Sequence, residues 1–268
     1  MKTGSRIRTN IVLVTILFLL FQWILFSIVF AQFRMFELIS YLFYPIALLF
    51  HLLVCFILIK FERLFIFLPS KKPLTHINLA NLLTLFRLSS LPSICVFLIL
   101  AADYPIKVFT IVLMGLAFIT DLLDGLVSRT QNQITEIGKH LDSFSDYLSI
   151  NVAAIALVVL GFLPLWLFIL ILVRGIQMLI GITYFLLSSG KYVYKTTFLG
   201  RASVFGVMVL YGIELLKLVC EPLRLSPVVP IIEYTTGLFL FLSLIDKVVL
   251  MMKKVKKGEH LKSGETAN

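Results

Sequence analysis

Long apolar stretches alternate with short charged connections along most of the chain. The stretches cover residues 11–31, 38–59, 82–101, 108–126, 148–162, 163–187, 202–220 and 228–252. A helix that crosses the hydrocarbon core of a bilayer needs about 20 predominantly apolar residues. The pattern therefore predicts eight membrane helices. We expect the fifth to begin earlier, near Gly138, and to be separated from the sixth at Leu163-Pro164, because proline breaks a continuous helix.

The connection between the second and third helices differs from the others. Residues 61–80 mix Phe, Leu, Pro and Lys, which is typical of a linker at the membrane surface. We predict an all-α polytopic membrane protein with a two-helix N-terminal extension and linker over 1–80, a six-helix core over 81–252 and a basic cytoplasmic tail over 253–268. Because every motif described below begins at or after Asn81, the core is expected to keep activity when residues 1–70 are deleted.

Composition and charge agree with this assignment. The chain is 60% hydrophobic and 14% charged, with a mean hydropathy of +1.03, whereas soluble domains are about half apolar. The net charge of +10 lies at both ends and in the connections rather than along one amphipathic face, so we expect membrane lipids as partners and no nucleic acid. Basic residues follow alternate helices, which predicts a multi-pass protein of the cytoplasmic membrane with both termini in the cytoplasm.

Cysteine and histidine do not suggest a metal or disulfide site. Cys55, Cys95 and Cys220 are odd in number and far apart, so we expect small core residues. His140 lies near an acidic cluster, where we expect a structural or interfacial role.

That acidic cluster is the clearest chemical signal in the chain. Asp121 and Asp124 are three residues apart, and Asp142 and Asp146 are four apart, so each pair lies on one face of its helix. An acidic residue at the centre of a membrane helix costs about 2.5–3.5 kcal/mol on insertion scales, and four at one depth need compensating charge. Hard carboxylate oxygens favour Mg²⁺, Mn²⁺ or Ca²⁺ over zinc, and two such ions suit chemistry on a diphosphate.

Small and basic residues accompany the aspartates. Gly125 removes a side chain where a ligand could approach the backbone, and Ser128 is also small. Arg129 offers a forked donor to a phosphate. Gly138, before the second pair, is a candidate loop or packing glycine.

These positions resemble the signature of the CDP-alcohol phosphotransferase family. They read Asp121-x2-Asp124-Gly125-x2-Ser128-Arg129-x8-Gly138-x3-Asp142-x3-Asp146. Ser128 stands where the family usually has alanine, and another small residue should preserve the close approach. The resemblance extends over residues 81–252 and leaves the first 80 uncovered.

Positions outside the signature also resemble bacterial phosphatidylglycerophosphate synthases. The opening helix of those enzymes is similar to the helix that carries Asn81, Thr84, Arg87 and Pro92 here, and their later helices carry counterparts of Arg174 and Gly200-Arg201. Arg87 and Arg174 can equally be read as buried ion-pair partners for an aspartate.

The resemblance implies a reaction and a role for each residue. Asp121, Asp124, Asp142 and Asp146 would hold two divalent ions, Mg²⁺ or Mn²⁺, against the diphosphate of a CDP-linked lipid donor. Asp146 would also take the proton from the acceptor hydroxyl, which displaces CMP. The donor would be bound by residues of both segments, namely Gly125, Ser128, Arg129, Gly138, Asn81 and Thr84. The resemblance also suggests a homodimer.

The acceptor is less defined than the reaction. Ser143, Tyr147 and Gly175 depart from the phosphatidylglycerophosphate synthase pattern, and Asp142-Ser143 is more similar to phosphatidylserine synthases. A basic set favours an acceptor that carries a phosphate, such as glycerol 3-phosphate or an inositol phosphate; its members are Arg174, Lys191, Lys195 and Arg201.

Three other functions are compatible with parts of the pattern. A CDP-choline or CDP-ethanolamine type of phosphotransferase would act on diacylglycerol. An intramembrane prenyltransferase also uses Asp-rich diphosphate sites, although its two motifs lie far apart in the chain. A cation transporter would place carboxylates in the membrane, but it would not need Gly125 and Arg129.

Overall fold

A computed structural model describes residues 2–34, 37–68, 70–130, 134–187, 197–220, 222–223 and 226–265. Within its helices, the side chains of residues 2–5, 40, 118, 121–122, 128–129, 182–187 and 251–265 lie outside the description. The described residues form eight α-helices, which are α1 (Lys2–Phe33), α2 (Glu37–Lys60), α3 (Leu79–Leu100), α4 (Lys107–Thr130), α5 (Glu136–Val159), α6 (Leu165–Leu187), α7 (Phe198–Leu216) and α8 (Val228–Glu265). The predicted all-α fold and its eight helices are confirmed.

Length and composition allow most of these helices to cross a bilayer. Among the described residues six qualify, and they lie in α1, α2, α3, α5, α7 and α8. The apolar stretches of α4 and α6 are shorter, at Lys107–Ala117 and Leu165–Gly181. The chain is therefore an integral membrane protein.

The chain divides into two compact units, Met1–Leu160 and Gly161–Asn268. The division lies shortly before Leu163-Pro164, where the break between the fifth and sixth helices is predicted. Leu160 caps the C-terminus of α5, and Gly161 follows with φ +70°. A residue in this left-handed conformation commonly ends a helix, and glycine adopts it without steric cost.

Helix α3 is central in the first unit. Of the 18 most apolar consecutive residues of α3, 61% are buried, whereas the buried share of the corresponding residues is 22% in each of α1, α2 and α5. It contacts α1 and α2 as well as α4 and α5. One apolar cluster joins α1, α2 and α3 through Phe26, whose ring stacks on Phe43 at 3.9 Å between centroids and on Phe97 at 5.7 Å.

A second apolar cluster surrounds the linker between α2 and α3. Phe65 and Leu74 of the linker are buried with Leu88 of α3 and Leu141 of α5. The linker contains a short 3₁₀ turn, Glu62–Leu64, and two isolated bridges join Ile66 to Pro73 and Phe67 to Thr135. The linker therefore packs on the protein interior as well as connecting two helices.

The second unit is built from α6, α7 and α8, with α8 in contact with both others. Trp166 of α6 stacks on Tyr234 of α8 at 5.4 Å. A Cβ atom at Gly237 would lie 2.5 Å from Trp166 Cζ3, so only glycine allows α6 and α8 to approach this closely. Near the end of α7, Lys217 forms a buried 2.5 Å ion pair with Glu214.

Candidate active site

The first turns of α3 carry the polar face of the candidate site. Asn78 caps the helix, its side chain accepting a 3.4 Å hydrogen bond from the backbone N–H of Asn81. Asn81, Thr84 and Arg87 follow at intervals of three, which keeps them on neighbouring parts of one helix face. All three are at most 5% exposed. Buried polar groups need partners, and here the partners come from α4 and α5.

The contact with α4 is made by Thr84. Its hydroxyl donates a 2.6 Å hydrogen bond to Asp124 Oδ2, and Asp124 is 7% exposed. Gly125 follows Asp124 on the helix, as the sequence requires. The backbone of α4 also carries Asp121, Ser128 and Arg129, whose side chains lie outside the described residues.

The contact with α5 is made by Arg87. Its Nη2 lies 3.2 Å from Asp142 Oδ1 and 3.0 Å from Asp146 Oδ1, and its Nε donates a 3.0 Å hydrogen bond to Ser145 Oγ. One of the two interpretations of Arg87, as a buried ion-pair partner, is therefore observed. The guanidinium crosslinks two carboxyl groups one helical turn apart.

Exposure differs sharply between the two sides of this ion pair. The Arg87 side chain is 6% exposed, whereas the side chains of Asp142 and Asp146 are 51% and 41% exposed. Both Arg87 contacts use Oδ1 atoms. The carboxyl groups are thus fixed from the protein side and stay accessible from the other, as a binding site for a charged ligand requires.

Gly138 is a close-packing glycine. A Cβ atom there would lie 2.6 Å from Asn81 Oδ1 and 2.7 Å from Thr135 Oγ1. Thr135 caps α5 by accepting a 3.0 Å hydrogen bond from the Gly138 N–H, and its side chain is hydrogen-bonded to Asn81. The cap places the start of α5 at Glu136, two residues before the predicted start. The packing interpretation of Gly138 is confirmed, and contact of Gly138, Asn81 and Thr84 with a donor stays a prediction.

The donor chemistry of the carboxylates fits a hard divalent cation. Asp146 lies within electrostatic range of Asp124, Asp142 and Arg87, so three carboxylates face one guanidinium in the described part of the site. Among the side chains that the structure describes, no three acidic, histidine or cysteine groups form a ready-made metal cage. The fourth expected ligand, Asp121, is outside that description.

The second unit contains a buried basic cluster, formed by Arg174 and Lys247 beside Gly200. Arg174 and Lys247 are 4% and 3% exposed. A Cβ atom at Gly200 would lie 3.4 Å from Arg174 Nη2 and 3.7 Å from Lys247 Cε, so this glycine lies directly against both cationic side chains. Thr197 caps α7 by accepting a 3.1 Å hydrogen bond from the Gly200 N–H. The buried basic cluster therefore combines two cations with the N-terminus of a helix.

Arg174 uses only some of its hydrogen-bond donors within the described part of the buried basic cluster. Its Nη1 donates a 3.0 Å hydrogen bond to Gln177 Oε1, and its buried Nε has no partner among the described residues. Arg201 is exposed on the first turn of α7, and Lys191 and Lys195 lie outside the described residues. Arg174 therefore lies against Gly200, whereas the exposed side chain of Arg201 lies outside the buried basic cluster.

The sequence interpretation missed several of these residues. Lys247 was overlooked, although an Asp246-Lys247 pair inside an apolar stretch is a signal of function or of a buried partner. Ser145 and Thr135 were also missed. A threonine followed by a glutamate before a helix is a recognisable cap signal, whereas nothing in the sequence indicates the partner of Ser145.

Comparison with known proteins shows the family of this chain. The family model described as CDP-alcohol phosphatidyltransferase matches residues 77–248, well over half of the chain. A protein of Mycobacterium tuberculosis named "Probable phosphatidylglycerophosphate synthase" is 34% identical over 155 residues, 57% of this chain and 72% of that protein. A "Cardiolipin synthase (CMP-forming)" of Streptomyces coelicolor is 29% identical over 144 residues, 53% of this chain and 66% of that protein.

A Bacillus subtilis protein named "CDP-diacylglycerol--glycerol-3-phosphate 3-phosphatidyltransferase" is 31% identical over 108 residues, 36% of this chain and 56% of that protein. The family match sets aside the prenyltransferase and cation-transporter alternatives. The matched segment begins two residues before α3 and includes the Asp124, Asp142 and Asp146 site. The chain belongs to the CDP-alcohol phosphatidyltransferase family and is a membrane-integral transferase.

Proposed function

We propose that the site on α3, α4 and α5 transfers a phosphatidyl group from CDP-diacylglycerol to a polar alcohol that carries a phosphate, with release of CMP. The observation that carries this proposal is Arg87, which is buried and holds Asp142 and Asp146 from the protein side while both stay accessible. The names of two relatives, a phosphatidylglycerophosphate synthase and a CDP-diacylglycerol--glycerol-3-phosphate 3-phosphatidyltransferase, support the donor and the class of acceptor.

The reaction can be written with the residues of this site. The acceptor hydroxyl oxygen forms a bond to the phosphorus of the phosphatidyl group, and the bond from that phosphorus to the bridging oxygen of CMP breaks. CMP leaves with the electron pair, and the proton of the hydroxyl passes to Asp146. A carboxylate serves as a base when it is held within reach of the hydroxyl, and Arg87 and Ser145 fix this end of α5.

The carboxylates are proposed to hold divalent metal. Asp121, Asp124, Asp142 and Asp146 would be the ligands of two Mg²⁺ or Mn²⁺ ions, and the Thr84 hydrogen bond would fix the orientation of Asp124. Bound ions of this kind neutralise negative charge on a diphosphate. Gly125, Ser128 and Arg129 are proposed to bind the nucleotide end of the donor, beside Asn81, Thr84 and Gly138.

Arg174, Arg201 and Lys195 are proposed, as the sequence predicts, to bind the phosphate of the acceptor. Arg174 offers an unpaired buried N–H, and Lys247 adds a second buried cation. Buried cations interact strongly with phosphate because little solvent screens them. A homodimer and cytoplasmic termini are further parts of the proposal.

The acceptor class is tested with purified protein in vesicles supplied with CDP-diacylglycerol and Mg²⁺ or Mn²⁺. Each acceptor is tested separately, and CMP release is measured with glycerol 3-phosphate, an inositol phosphate, phosphatidylglycerol, inositol, serine and choline. We expect the acceptors that carry a phosphate to support the fastest release. Preference for serine or choline, or release only from CDP-choline with diacylglycerol, would contradict the acceptor assignment.

Two variants refine this test. Lys247→Met should raise the acceptor KM about tenfold or more and change the donor KM little, because a charge-assisted hydrogen bond to a phosphate is worth roughly 1.5–3 kcal/mol. Arg201→Ala should act in the same direction. Lys72→Ala, at an exposed lysine of the linker, is the matched control and should leave both KM values unchanged.

A further inference from the structure

Polar side chains of the N-terminal extension reach the face of α3 that is turned away from the candidate active site. Gln22 of α1 is fully buried; its Nε2 donates to Ser90 Oγ at 3.2 Å, and its Oε1 accepts from Ser93 Oγ at 2.5 Å. The Ser90 hydroxyl in turn donates to the carbonyl of Phe86 at 2.9 Å. Gln22, Ser90 and Ser93 thus form one connected set of hydrogen bonds between α1 and α3.

A second contact comes from α2. His51 is 2% exposed; its Nδ1 lies 2.7 Å from the carbonyl oxygen of Ala47 and its Nε2 lies 2.7 Å from Ser89 Oγ. A carbonyl oxygen only accepts, so Nδ1 carries the proton, and in the neutral ring Nε2 accepts from the Ser89 hydroxyl. Both helices of the extension are therefore hydrogen-bonded to consecutive residues of α3.

The two polar faces of α3 are opposed. At about 100° per residue, Asn81, Thr84 and Arg87 centre on a direction roughly 180° from the centre of the Ser89, Ser90 and Ser93 face. A rotation of α3 that breaks the contacts to Gln22 and His51 would also turn Thr84 and Arg87 away from their aspartates. Apolar contacts alone restrict such rotation weakly, because they are not directional.

The extension also holds the start of both site helices. Asn10 of α1 accepts a 2.7 Å hydrogen bond from the backbone N–H of Ile77, immediately before α3. The linker pairs with the segment before α5, where Leu68 N–H donates to the Ile134 carbonyl at 2.9 Å and Glu136 N–H donates to the Ile66 carbonyl at 3.1 Å. Between these two bonds lies Thr135, which caps α5 and is hydrogen-bonded to Asn81.

We propose that the N-terminal extension is a positioning element of the transferase, in which Gln22 and His51 fix the rotation of α3 and thereby the placement of Thr84 and Arg87 against the aspartates. Neither residue touches the reacting groups. The proposal rests on the site of α3, α4 and α5 being the transferase site. It changes the expectation that residues 1–70 are dispensable: their deletion should lower turnover strongly even where the remaining helices insert.

Single substitutions in the full-length protein test this role. Gln22→Leu replaces the amide by an apolar side chain of similar size and removes both hydrogen bonds to α3. We expect kcat to fall about tenfold or more, with the donor KM within about threefold of wild type, because a displacement of about 1 Å in a reacting geometry costs up to 10²-fold in rate. His51→Phe should act in the same direction.

Ser27→Ala is the matched control. The Ser27 hydroxyl lies 2.8 Å from the Tyr44 hydroxyl, so this bond joins α1 to α2 without involving α3. We expect Ser27→Ala to change kcat less than twofold. A loss of turnover equal to that of Gln22→Leu would show that any polar deletion in the extension has this effect, and the proposal would be overturned.

A triple variant separates positioning from folding. Gln22→Leu combined with Ser90→Ala and Ser93→Ala leaves no unpaired polar group at this contact, and such paired apolar replacements are close to neutral for stability. We expect a folded protein with a single size-exclusion peak and reduced kcat. Wild-type kcat in the triple variant would overturn the proposal, and failure of the triple variant to fold would assign these contacts to folding instead.

Arg87→Met distinguishes this result from a wrong site assignment. Only the positioning proposal is wrong if Arg87→Met loses most of the CMP release of wild type while Gln22→Leu keeps the same turnover as Ser27→Ala. If Arg87→Met also retains wild-type turnover, the transferase site itself is wrongly assigned.

Discussion

Removing the Arg87 guanidinium is the perturbation with the largest expected effect on the site. At about 3 Å and an effective dielectric constant near 20, one ion pair is worth roughly 5 kcal/mol before desolvation is counted. The two aspartates are about half exposed, so water compensates for much of this after the change to methionine. We expect a loss of about 1–2 kcal/mol in stability, below the roughly 3–5 kcal/mol for breaking a fully buried pair.

The effect on activity should exceed the effect on stability. Arg87 fixes Asp142, Asp146 and Ser145 at once, so its removal leaves the proposed base without a defined orientation. We expect kcat/KM of Arg87→Met to fall about 100-fold, which corresponds to about 2.7 kcal/mol of transition-state stabilisation. Arg87→Lys keeps the charge but loses the forked geometry, so an intermediate loss of about tenfold is expected.

The assay is CMP release from CDP-diacylglycerol by purified protein, with thermal unfolding measured on the same preparations. Arg63→Ala, at an exposed arginine of the linker, is the control for loss of positive charge and should match wild type. Arg87→Met activity within threefold of wild type, in a protein that remains folded, would refute the assignment of Arg87 as the residue that orients the α5 carboxylates.

Three further outcomes are expected. Asp146→Asn should abolish turnover while leaving donor binding largely intact, since its special role is proton transfer; near-wild-type turnover would rule out the base assignment. Gly138→Ala should lower stability by roughly 1–3 kcal/mol, because the new Cβ would lie 2.6 Å from Asn81 Oδ1, and unchanged unfolding would contradict the packing role. Hydrogen bonding to Arg8 lowers the pKa of the Glu62 carboxyl. The stabilisation from this carboxyl is present above its unfolded-state pKa and is lost as pH falls through its folded-state pKa. Because the ion pair with Arg8 is solvent-exposed, that stabilisation is small. Glu62→Gln should therefore leave activity and thermal unfolding unchanged at neutral pH.

Most of the fold was predictable from one physical signal, the length of the apolar stretches. Each apolar stretch is long enough to force a helix in a bilayer, where backbone polar groups must bond internally, and all eight stretches became helices. The spacing of the aspartates also fixed their helix faces in advance. Local signals were weaker at the helix ends, and α5 begins at Glu136 because Thr135 caps it.

The support of the site was not predictable from sequence. Gln22 and His51 are single polar residues within apolar stretches, and their serine partners lie 68, 71 and 38 residues away. Nothing local specifies such pairings, since they depend on which helices become neighbours. Lys247 was missed for a similar reason, because its proximity to Arg174 and Gly200 arises only from the packing of α6, α7 and α8.

Donor binding in the presence and absence of divalent metal tests whether the aspartates hold the donor through bound ions. Radiolabelled CDP-diacylglycerol is bound to purified wild type and to Asp124→Asn, each with Mg²⁺, after treatment with EDTA, and after Mg²⁺ is restored. We expect EDTA to lower the donor affinity of wild type about tenfold or more and Mg²⁺ to restore it, whereas Asp124→Asn should bind the donor weakly under all three conditions. Donor affinity that is the same with and without metal, and the same in both proteins, would contradict a site in which the aspartates hold the diphosphate through divalent ions.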